Sequence, residues 1–578
     1  NFGNESRTVH LGLDFWLSPG TKVNSMFDGE VVTSINDDGD KEYGGLLILK
    51  HKVEDFEFYT LYGHNKVRSV LKNKIGTKIK KGDEIAEIAN YPENGNWAPH
   101  LHFQIMLSTL NYKIDFPGVC YYNQIDVWKG LCPNPNLLFK SVDLNYTNDK
   151  SDDELINYRK KHLGKSLKLH YEEPINIVRG EGVYLISKNG RKYLDTINNV
   201  AHVGHENESV VIEGQNQMSI LNTNSRYLHK SINELAEEII QTLPEKLNVI
   251  HFVNSGSEAN ELAVRMMKSH TGSNDIIVSE NGYHGNTNIC VDISSYKFDG
   301  KGGKGAPENT HVIPMPTKFN GKHKGEEACE GYINEMKNSI KNLKSKNRDL
   351  GGFIIEPIIS CGGQVELPDG FLKTAYDLIR ENGGICISDE VQVGCGRLGE
   401  SFWGFELHDV IPDIITIGKP LGNGHPIGAV VCTSEIAESF ANGMEYFNTF
   451  GGNPVSCSIA TQVLKVVKNE NLQKNAKTIG NYFKNELKNL SDKYDIIGDV
   501  RGQGLFLGIE FVDDKMNPLF RETKYIVNRL KDFGILASLD GPNNNVIKIK
   551  PPLIFNKDNC DTFIFYLNKI LEEDFLNK

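Results

Sequence analysis

The hydrophobic period changes once along this chain, and that change constrains the fold more than any other feature. Before about residue 140 the apolar residues fall in short strand-like runs, Gly29-Glu30-Val31-Val32, Gly45-Leu46-Leu47-Ile48-Leu49 and Phe58-Tyr59-Thr60-Leu61-Tyr62. Gly and Asp turns such as Asp37-Asp38-Gly39-Asp40 separate them. From about Leu167 onward, helical patterns alternate with short apolar runs such as Val249-Ile250-His251-Phe252-Val253 and Gly352-Phe353-Ile354-Ile355. Strands separated by helices imply crossover connections, so this part predicts βα units and a parallel sheet. The chain is therefore expected to be multidomain. An all-β, mostly antiparallel module covers 1–140 and closes at Cys132-Pro133-Asn134-Pro135-Asn136. A polar connector or first helix covers 141–165, and one large α/β enzyme with a second, smaller lobe covers 166–578. No internal repeat stands out, and a Gly/Lys loop spans Gly300–Gly305.

Composition enters only to exclude. At 39% hydrophobic and 24% charged residues, long disorder is excluded. Acidic residues outnumber basic ones, 75 to 63, for a net charge of −12 and no electrostatic case for nucleic acid. No apolar run approaches the roughly 18–20 residues that cross a bilayer. The ten cysteines are scattered without a C-x-x-C, as expected of reduced thiols in a cytoplasmic protein. The chain opens Asn1-Phe2-Gly3, without Met or a signal-like segment, and is expected to be a fragment or processed product.

Three pieces of the first module carry metal chemistry. His10-Leu11-Gly12-Leu13-Asp14 offers an imidazole and a carboxylate around a Gly. Tyr62-Gly63-His64-Asn65 ends a β run, and Pro99-His100-Leu101-His102-Phe103 places two histidines at i and i+2, on one face of a strand. A single His near Asp is usually a surface hydrogen bond. Two His and one Asp, however, can hold Zn²⁺ and leave a fourth position for water, with a further His to move a proton. Together with Gly76-Thr77-Lys78-Ile79-Lys80-Lys81-Gly82-Asp83, these pieces resemble the M23 (LytM-like) zinc metallopeptidases over about residues 8–140. The resemblance implies His10, Asp14 and His102 as zinc ligands and His64 and His100 as catalytic histidines. Asn65 stands where that family usually has an apolar residue. Peptide cleavage and a purely structural M23 fold both stay open.

The second module presents Asp413-Ile414-Ile415-Thr416-Ile417-Gly418-Lys419-Pro420-Leu421-Gly422-Asn423-Gly424, an apolar run ending in a Lys among glycines. Such an amine can approach a cofactor aldehyde. Ile385–Gln392 is a buried-looking strand ending in Asp389, a carboxylate suited to a pyridinium nitrogen. Asn254-Ser255-Gly256-Ser257-Glu258-Ala259-Asn260 opens a helix after a strand, a natural phosphate site, and Gly282-Tyr283-His284-Gly285 offers an aromatic face. Gly394-Cys395-Gly396-Arg397-Leu398-Gly399 matches a dinucleotide fingerprint, but no helix start follows it. His202 and His205 are expected to be non-metal loop residues.

This order is similar to that of the class-III aminotransferases, fold type I pyridoxal 5′-phosphate enzymes, over about residues 165–578. The resemblance implies Lys419 as the Schiff-base lysine, Asp389 at the ring nitrogen, Gln392 near the phenolic oxygen and Tyr283 stacked on the ring. It implies Gly256 and Ser257 at the phosphate, Thr449 reaching the phosphate of a neighbouring subunit in a homodimer, and Arg501 clamping a substrate carboxylate or phosphate. Ile293–Phe298, Ser360-Cys361-Gly362-Gly363-Gln364, Gly422–Pro426, Gly443–Asn448 and Val546–Pro552 look similar to a phospho-lyase branch acting on ethanolamine phosphate or 5-phosphohydroxylysine. Phosphate elimination from a phosphorylated amine is the favoured expectation and transamination the alternative, since the cofactor contacts are common to both. A chain acting chiefly as a zinc peptidase is the rival from another class.

Overall fold

The computed structural model describes residues 9–576 apart from 111, 113, 115, 122–123, 140–149 and 189–190. Two compact units result, Asn1–Arg179 with Leu185–Lys192, and Gly180–Tyr184 with Tyr193–Lys578. Of the expected connector, residues 141–149 lie outside the described residues. The helix Asp152–His162 that follows buries no side chain. Its start is fixed by a capping box in which Ser151 accepts from the Glu154 amide and Glu154 accepts from the Ser151 amide.

In the first unit, β1 (Leu13–Trp16), β2 (Gly29–Asp37), β3 (Gly44–Val53), β4 (Phe56–Asn65), β5 (Lys78–Ile79) and β6 (His100–Met106) form one sheet. Its order is β1-β6-β4-β3-β2-β5, antiparallel throughout. Both faces of β3 are buried. Leu47 and Leu49 face one cluster with Val31, Tyr62 and Phe103, while Leu46 and Ile48 face another with Leu61, Met106 and Phe116. That explains a continuous apolar run where a one-sided sheet would alternate.

In the second unit the main sheet contains β7 (Val249–Val253), β8 (Asp275–Ser279), β9 (Thr310–Ile313), β10 (Leu350–Ile355), β11 (Ile385–Asp389), β12 (Ile414–Ile417) and β13 (Gly428–Cys432). The order is β7-β13-β12-β11-β10-β8-β9. All the pairings are parallel except the two made by β13, which runs antiparallel to both neighbours. Neighbouring residues enter opposite cores: Ile276, Val278, Ile354 and Ile387 pack with Leu262, Ala263 and Met266 of helix α1 (Gly256–Thr271), while Ile277, Phe353 and Ile355 pack with Met336 and Tyr376. This two-sided burial is why these strands are uniformly apolar. A smaller antiparallel sheet, β14 (Ile497–Gln503), β15 (Phe506–Phe511), β16 (Ser538–Asp540) and β17 (Val546–Ile549), in the order β14-β15-β17-β16, forms the second lobe. Residues 391–400 are turns, so the glycine fingerprint opens no helix.

His202 and Arg397 lock the loops of this unit. Arg397 is fully buried and donates to the carbonyls of Leu505 (3.0 Å), Pro551 (2.8 Å) and Asn199 (3.4 Å), and to His202 Nδ1 (3.3 Å). His202 Nε2 in turn donates to the Cys395 carbonyl (2.8 Å). Burial, with the Arg397 charge second, pushes the imidazole down to about 3. An imidazole depressed on folding contributes stability above its unfolded pKa, roughly 6.5, and loses it as pH falls toward the folded value. Between about pH 6.5 and 4.5 this amounts to about 2–3 kcal/mol, at roughly 1.4 kcal/mol per unit. The urea midpoint of the second unit should fall over that window, and His202→Gln, neutral at every pH, should remove a loss of that size. An unchanged pH slope in the variant would refute it.

Candidate functional site

The carboxyl ends of β10, β11 and β12 deliver Glu356, Asp389 and Lys419 to one cavity of about 290 Å³, the end of a parallel sheet where ligands bind. Helix α1 brings Gly256, Ser257 and Asn260 to it, the turn after β8 brings Tyr283 and His284, and Val391 and Gln392 follow Asp389 in the chain.

Asp389 is the best-anchored group. Its Oδ2 accepts from His284 Nδ1 (2.8 Å) and Asn260 Nδ2 (2.8 Å), and its Oδ1 from the Val391 amide (3.1 Å). Asn260 Oδ1 accepts from Thr416 Oγ1 (2.7 Å), which fixes the amide the right way round. At the head of α1, Ser255 caps the Glu258 amide, and the amides of Gly256 and Ser257 lie in the first turn, where a helix has no internal acceptor. A Cβ on Gly256 would stand 2.6 Å from Val391 Cγ1, so only glycine lets this turn close on the cavity wall. Lys419 starts a short turn, Lys419–Gly422, directly beyond β12. Burial raises the Tyr283 hydroxyl.

Donor amides at one end, an anchored carboxylate, an aromatic side chain and an amine around one cavity suit pyridoxal phosphate, which needs a phosphate cradle, a partner for its ring nitrogen and a lysine. Gln392 also lines the cavity. Its Oε1 accepts from Lys550 Nζ (2.7 Å) and Asn199 Nδ2 (3.1 Å). Thr449 is exposed and does not line the cavity of its own chain. Its neighbour Asn448 is tied to the head of α1 through Asn254 and Glu258, at 2.9 Å each. Arg501 does not line the cavity either. Its Nη1 lies 2.6 Å from Glu510 and 2.9 Å from Asp499, because the β14–β15 register sets the Asp499–Glu510 pair two positions away, on the same face, and its Nε donates to the Gly363 carbonyl (2.8 Å).

In the first unit, His10, Asp14 and His102 offer ligand atoms that all lie within 4.8 Å of one another. Asp14 and His102 are cross-strand partners in β1–β6, and His102 Nδ1 stands 3.1 Å from Asp14 Oδ1 and 2.9 Å from His10 Nε2. A side chain at Gly12 would collide with the Phe103 carbonyl at 2.6 Å, so the glycine lets the His10–Asp14 segment lie against β6. His102 Nε2 faces Gln104 Oε1 (3.0 Å), whose amide group donates to the Pro117 carbonyl (3.2 Å). That network puts the ring proton on Nε2 and leaves Nδ1 as a lone-pair donor, as a metal-binding His requires. Burial opposes it, but His10 and His102 hold the Asp14 carboxyl well below the usual carboxylate range. The donor set, two imidazole nitrogens and a carboxylate, suits Zn²⁺. The His64 and His100 rings lie 4.3 Å apart, and burial, then the His100 and His102 rings, push His64 down to about 3. Asn65 donates to the Tyr62 and Gly63 carbonyls and so finishes β4. His202 and His205 join no metal cluster among the described residues, and His205 pairs with Asp195 at 2.7 Å.

Residues 168–571 match the model of the family "Aminotransferase class-III". The chain belongs to that family. Residues 8–114 match peptidase family M23. The alanine–glyoxylate aminotransferase 2-like protein of Drosophila melanogaster is 44% identical over 431 residues, covering 73% of this chain and 87% of that relative. The ethanolamine-phosphate phospho-lyase homolog 1 of Caenorhabditis elegans is 37% identical over 440 residues, covering 73% of this chain and 94% of the relative. A phospholyase from Arthrobacter, solved in complex with phosphoethanolamine, superposes with a TM-score of 0.70 at 35% identity, covering 72% of this chain and 99% of that one. The chain is thus an enzyme of a pyridoxal phosphate-dependent family with the fold type I architecture.

Several residues of the class-III site went without a role in the sequence. Asn260, His284, Ser360 and Lys550 sit inside the quoted segments, and Glu356 directly follows the run Gly352–Ile355. The signal for Lys550 is Lys548-Ile549-Lys550, two lysines on one face at the end of an apolar strand. For Gln104 it is the i, i+2, i+4 series with His100 and His102. Asn260→Ala should free one side of Asp389, leaving a buried carboxylate short of a donor. Cofactor retention should then weaken about tenfold or more, at roughly 1.5–3 kcal/mol for a charge-assisted bond. Equilibrium dialysis of the variant against pyridoxal phosphate checks this, and wild-type retention would contradict it.

Proposed function

We propose that the class-III unit eliminates phosphate and ammonia from a phosphorylated amine. The observation that carries this reading is Lys550. It is buried and donates to Gln392, and no carboxylate pairs with it among the described residues. Burial, then the charge of Lys548, pushes its amine down to about 7. Lys548 beside it reaches Asp540 at 3.4 Å. Lys550 does not itself line the cavity but is bonded to Gln392, which does, and an anionic phosphate at that wall would supply the countercharge that the Lys550 amine lacks, whereas Arg501 is already balanced by two carboxylates. The phospho-lyase relative and the Arthrobacter phospholyase support the same direction.

In this reading Gly256 and Ser257 hold the cofactor phosphate, Asp389 pairs with the ring nitrogen, Tyr283 covers the ring and Gln392 faces the phenolic oxygen. Bound pyridoxal phosphate supplies an electron sink for the substrate carbon. The Lys419 amine takes the proton from the carbon bearing the nitrogen. The bond from the neighbouring carbon to phosphate oxygen then breaks with its electron pair, and one water releases ammonia and an aldehyde. Transamination is the second reading, favoured by the name of the Drosophila relative. Thr449 completes the phosphate site of a second subunit. The loop that carries it is joined to the exposed Tyr227 and Leu228 by Arg226, which reaches Glu445 at 2.8 Å and lies 3.8 Å over the Phe447 ring, an apolar face suited to a two-fold dimer. No helix among the described residues is long and apolar enough to cross a membrane, and all ten cysteines are free, which supports a cytoplasmic setting.

We further propose that His10, Asp14 and His102 hold Zn²⁺, with His64 and His100 moving protons at the open position. A zinc ion there would acidify a bound water.

Incubated with phosphoethanolamine or 5-phosphohydroxylysine, the enzyme should release phosphate and ammonia in equal amounts without a keto acid. Lys419→Ala should retain under about a thousandth of that rate, as expected when the one lysine that lines the cavity among the described residues is removed. Strict dependence on a keto acid, with no phosphate released, would favour transamination instead. His10→Ala and His102→Ala should each lower bound zinc at least about tenfold while phosphate release continues, because each removes one of three protein ligands. Unchanged zinc by metal analysis would overturn the ligand assignment.

A further inference from the structure

A chain of hydrogen bonds links two residues that line the class-III cavity, Gln392 and Glu356, through the buried Ser360. Lys550 Nζ donates to Gln392 Oε1 (2.7 Å), Gln392 Nε2 donates to Ser360 Oγ (2.7 Å), and Ser360 Oγ donates to Glu356 Oε1 (2.5 Å). Asn199 Nδ2 adds a second donor to Gln392 Oε1 (3.1 Å). Every donor in this chain points the same way. With two donors on its oxygen, the Gln392 amide cannot turn over without setting its own NH₂ against Lys550 and Asn199. One N–H of Gln392 is then left, and it is the one position of this amide that no protein group fills among the described residues. Glu356 Oε2, also on the cavity wall, is buried without a partner.

We propose that Glu356, Ser360 and Lys550 are positioning residues that act through Gln392, fixing its amide so that an N–H is presented to the cofactor oxygen it faces. The relay needs an acceptor at Glu356, because Ser360 can receive from Gln392 only while its own proton goes elsewhere. It needs a donor at Lys550. The groups facing Glu356 are Asp389, His284 and Ser360, and those around Lys550 are Lys548, Asp540, Cys361 and Lys419. Burial, with Asp389 second, raises Glu356 to about 7, so the acid can stand in the relay without adding a second full charge beside Asp389.

This inference rests on the placement of pyridoxal phosphate argued above and not on the choice between elimination and transamination. Its test is the visible absorption of the loaded protein as a function of pH. A hydrogen bond to the phenolic oxygen favours the deprotonated lysine linkage, so losing a properly aimed N–H should raise the pH at which the band changes. In Ser360→Ala, Glu356→Leu and Lys550→Met that midpoint should rise by about one unit, the size expected for one ordinary hydrogen bond. Glu356→Gln, which still offers an acceptor to Ser360, should keep the midpoint of the parent. If Glu356→Leu fails to fold, Ser360→Ala alone decides. An unchanged midpoint in Ser360→Ala, or a Glu356→Gln midpoint displaced as far as that of Ser360→Ala, overturns the relay. Loss of the visible band altogether in the parent protein would instead sink the cofactor placement, so the two failures are told apart.

Discussion

The Asp389 carboxylate is the group on which the geometry of the class-III site turns. It is 3% exposed at the end of a strand, and a buried carboxylate must be met by donors or it costs several kcal/mol. Its donors come from helix α1 through Asn260, from the turn after β8 through His284, and from its own chain through Val391. Asn260 is also fastened to β12 through Thr416. One charge therefore fixes where α1 begins, which sets the Gly256 and Ser257 amides, and where the turn lies that carries Tyr283. The two ends of the cofactor site are positioned by the same carboxylate.

The remaining charges follow from burial acting on both signs. Glu356 is pushed up to about 7 and Lys550 down to about 7, each mainly by loss of water. A neutral acid and a neutral amine can share a buried relay cheaply, and both keep their hydrogen-bonding roles. What the arrangement lacks, among the described residues, is a carboxylate paired with Lys550 itself, since Asp540 is taken by Lys548 at 3.4 Å. A phosphorylated substrate brings an anion with it, so substrate charge and site charge complete each other only in the bound state.

Much of this was legible in the sequence for a physical reason. The period change near residue 140 reported the switch from an antiparallel sheet to βα units because strand and helix periodicities are imposed by backbone geometry. Lys419, Asp389 and Gly256 stood out because each sits at an element end, and Tyr283 because it lies in the short segment after β8, where a motif is local. The second tier was not. Asn260 and His284 acquire their purpose only when Asp389, more than a hundred positions away, comes within 2.8 Å. The antiparallel course of β13 left no mark either, since its residues are as apolar as those of the parallel strands beside it. Arg501 shows the opposite case. The resemblance implies a substrate clamp there, and that Asp499 and Glu510 stand against its guanidinium was not readable beforehand, because register is invisible until strands pair.

Two neighbouring glutamates show why a displaced pKa cannot by itself locate function. Glu390 and Glu356 are both buried, and burial raises each to about 7. Glu390 has both oxygens met, by the amides of Gly404 (2.7 Å) and Phe405 (3.0 Å) and by Ser388 Oγ (3.0 Å), and it does not line the cavity. Its bonds bind the turn after β11 to residues 404–405, and every one of them is internal. Glu356 has one oxygen in the relay and one without a partner, on the cavity wall. A buried polar atom left unpaired costs stability unless something else meets it, so the difference between the two acids lies in geometry rather than in proton affinity. Glu390 is a finished structural bond, and Glu356 is an open one that faces the site of reaction.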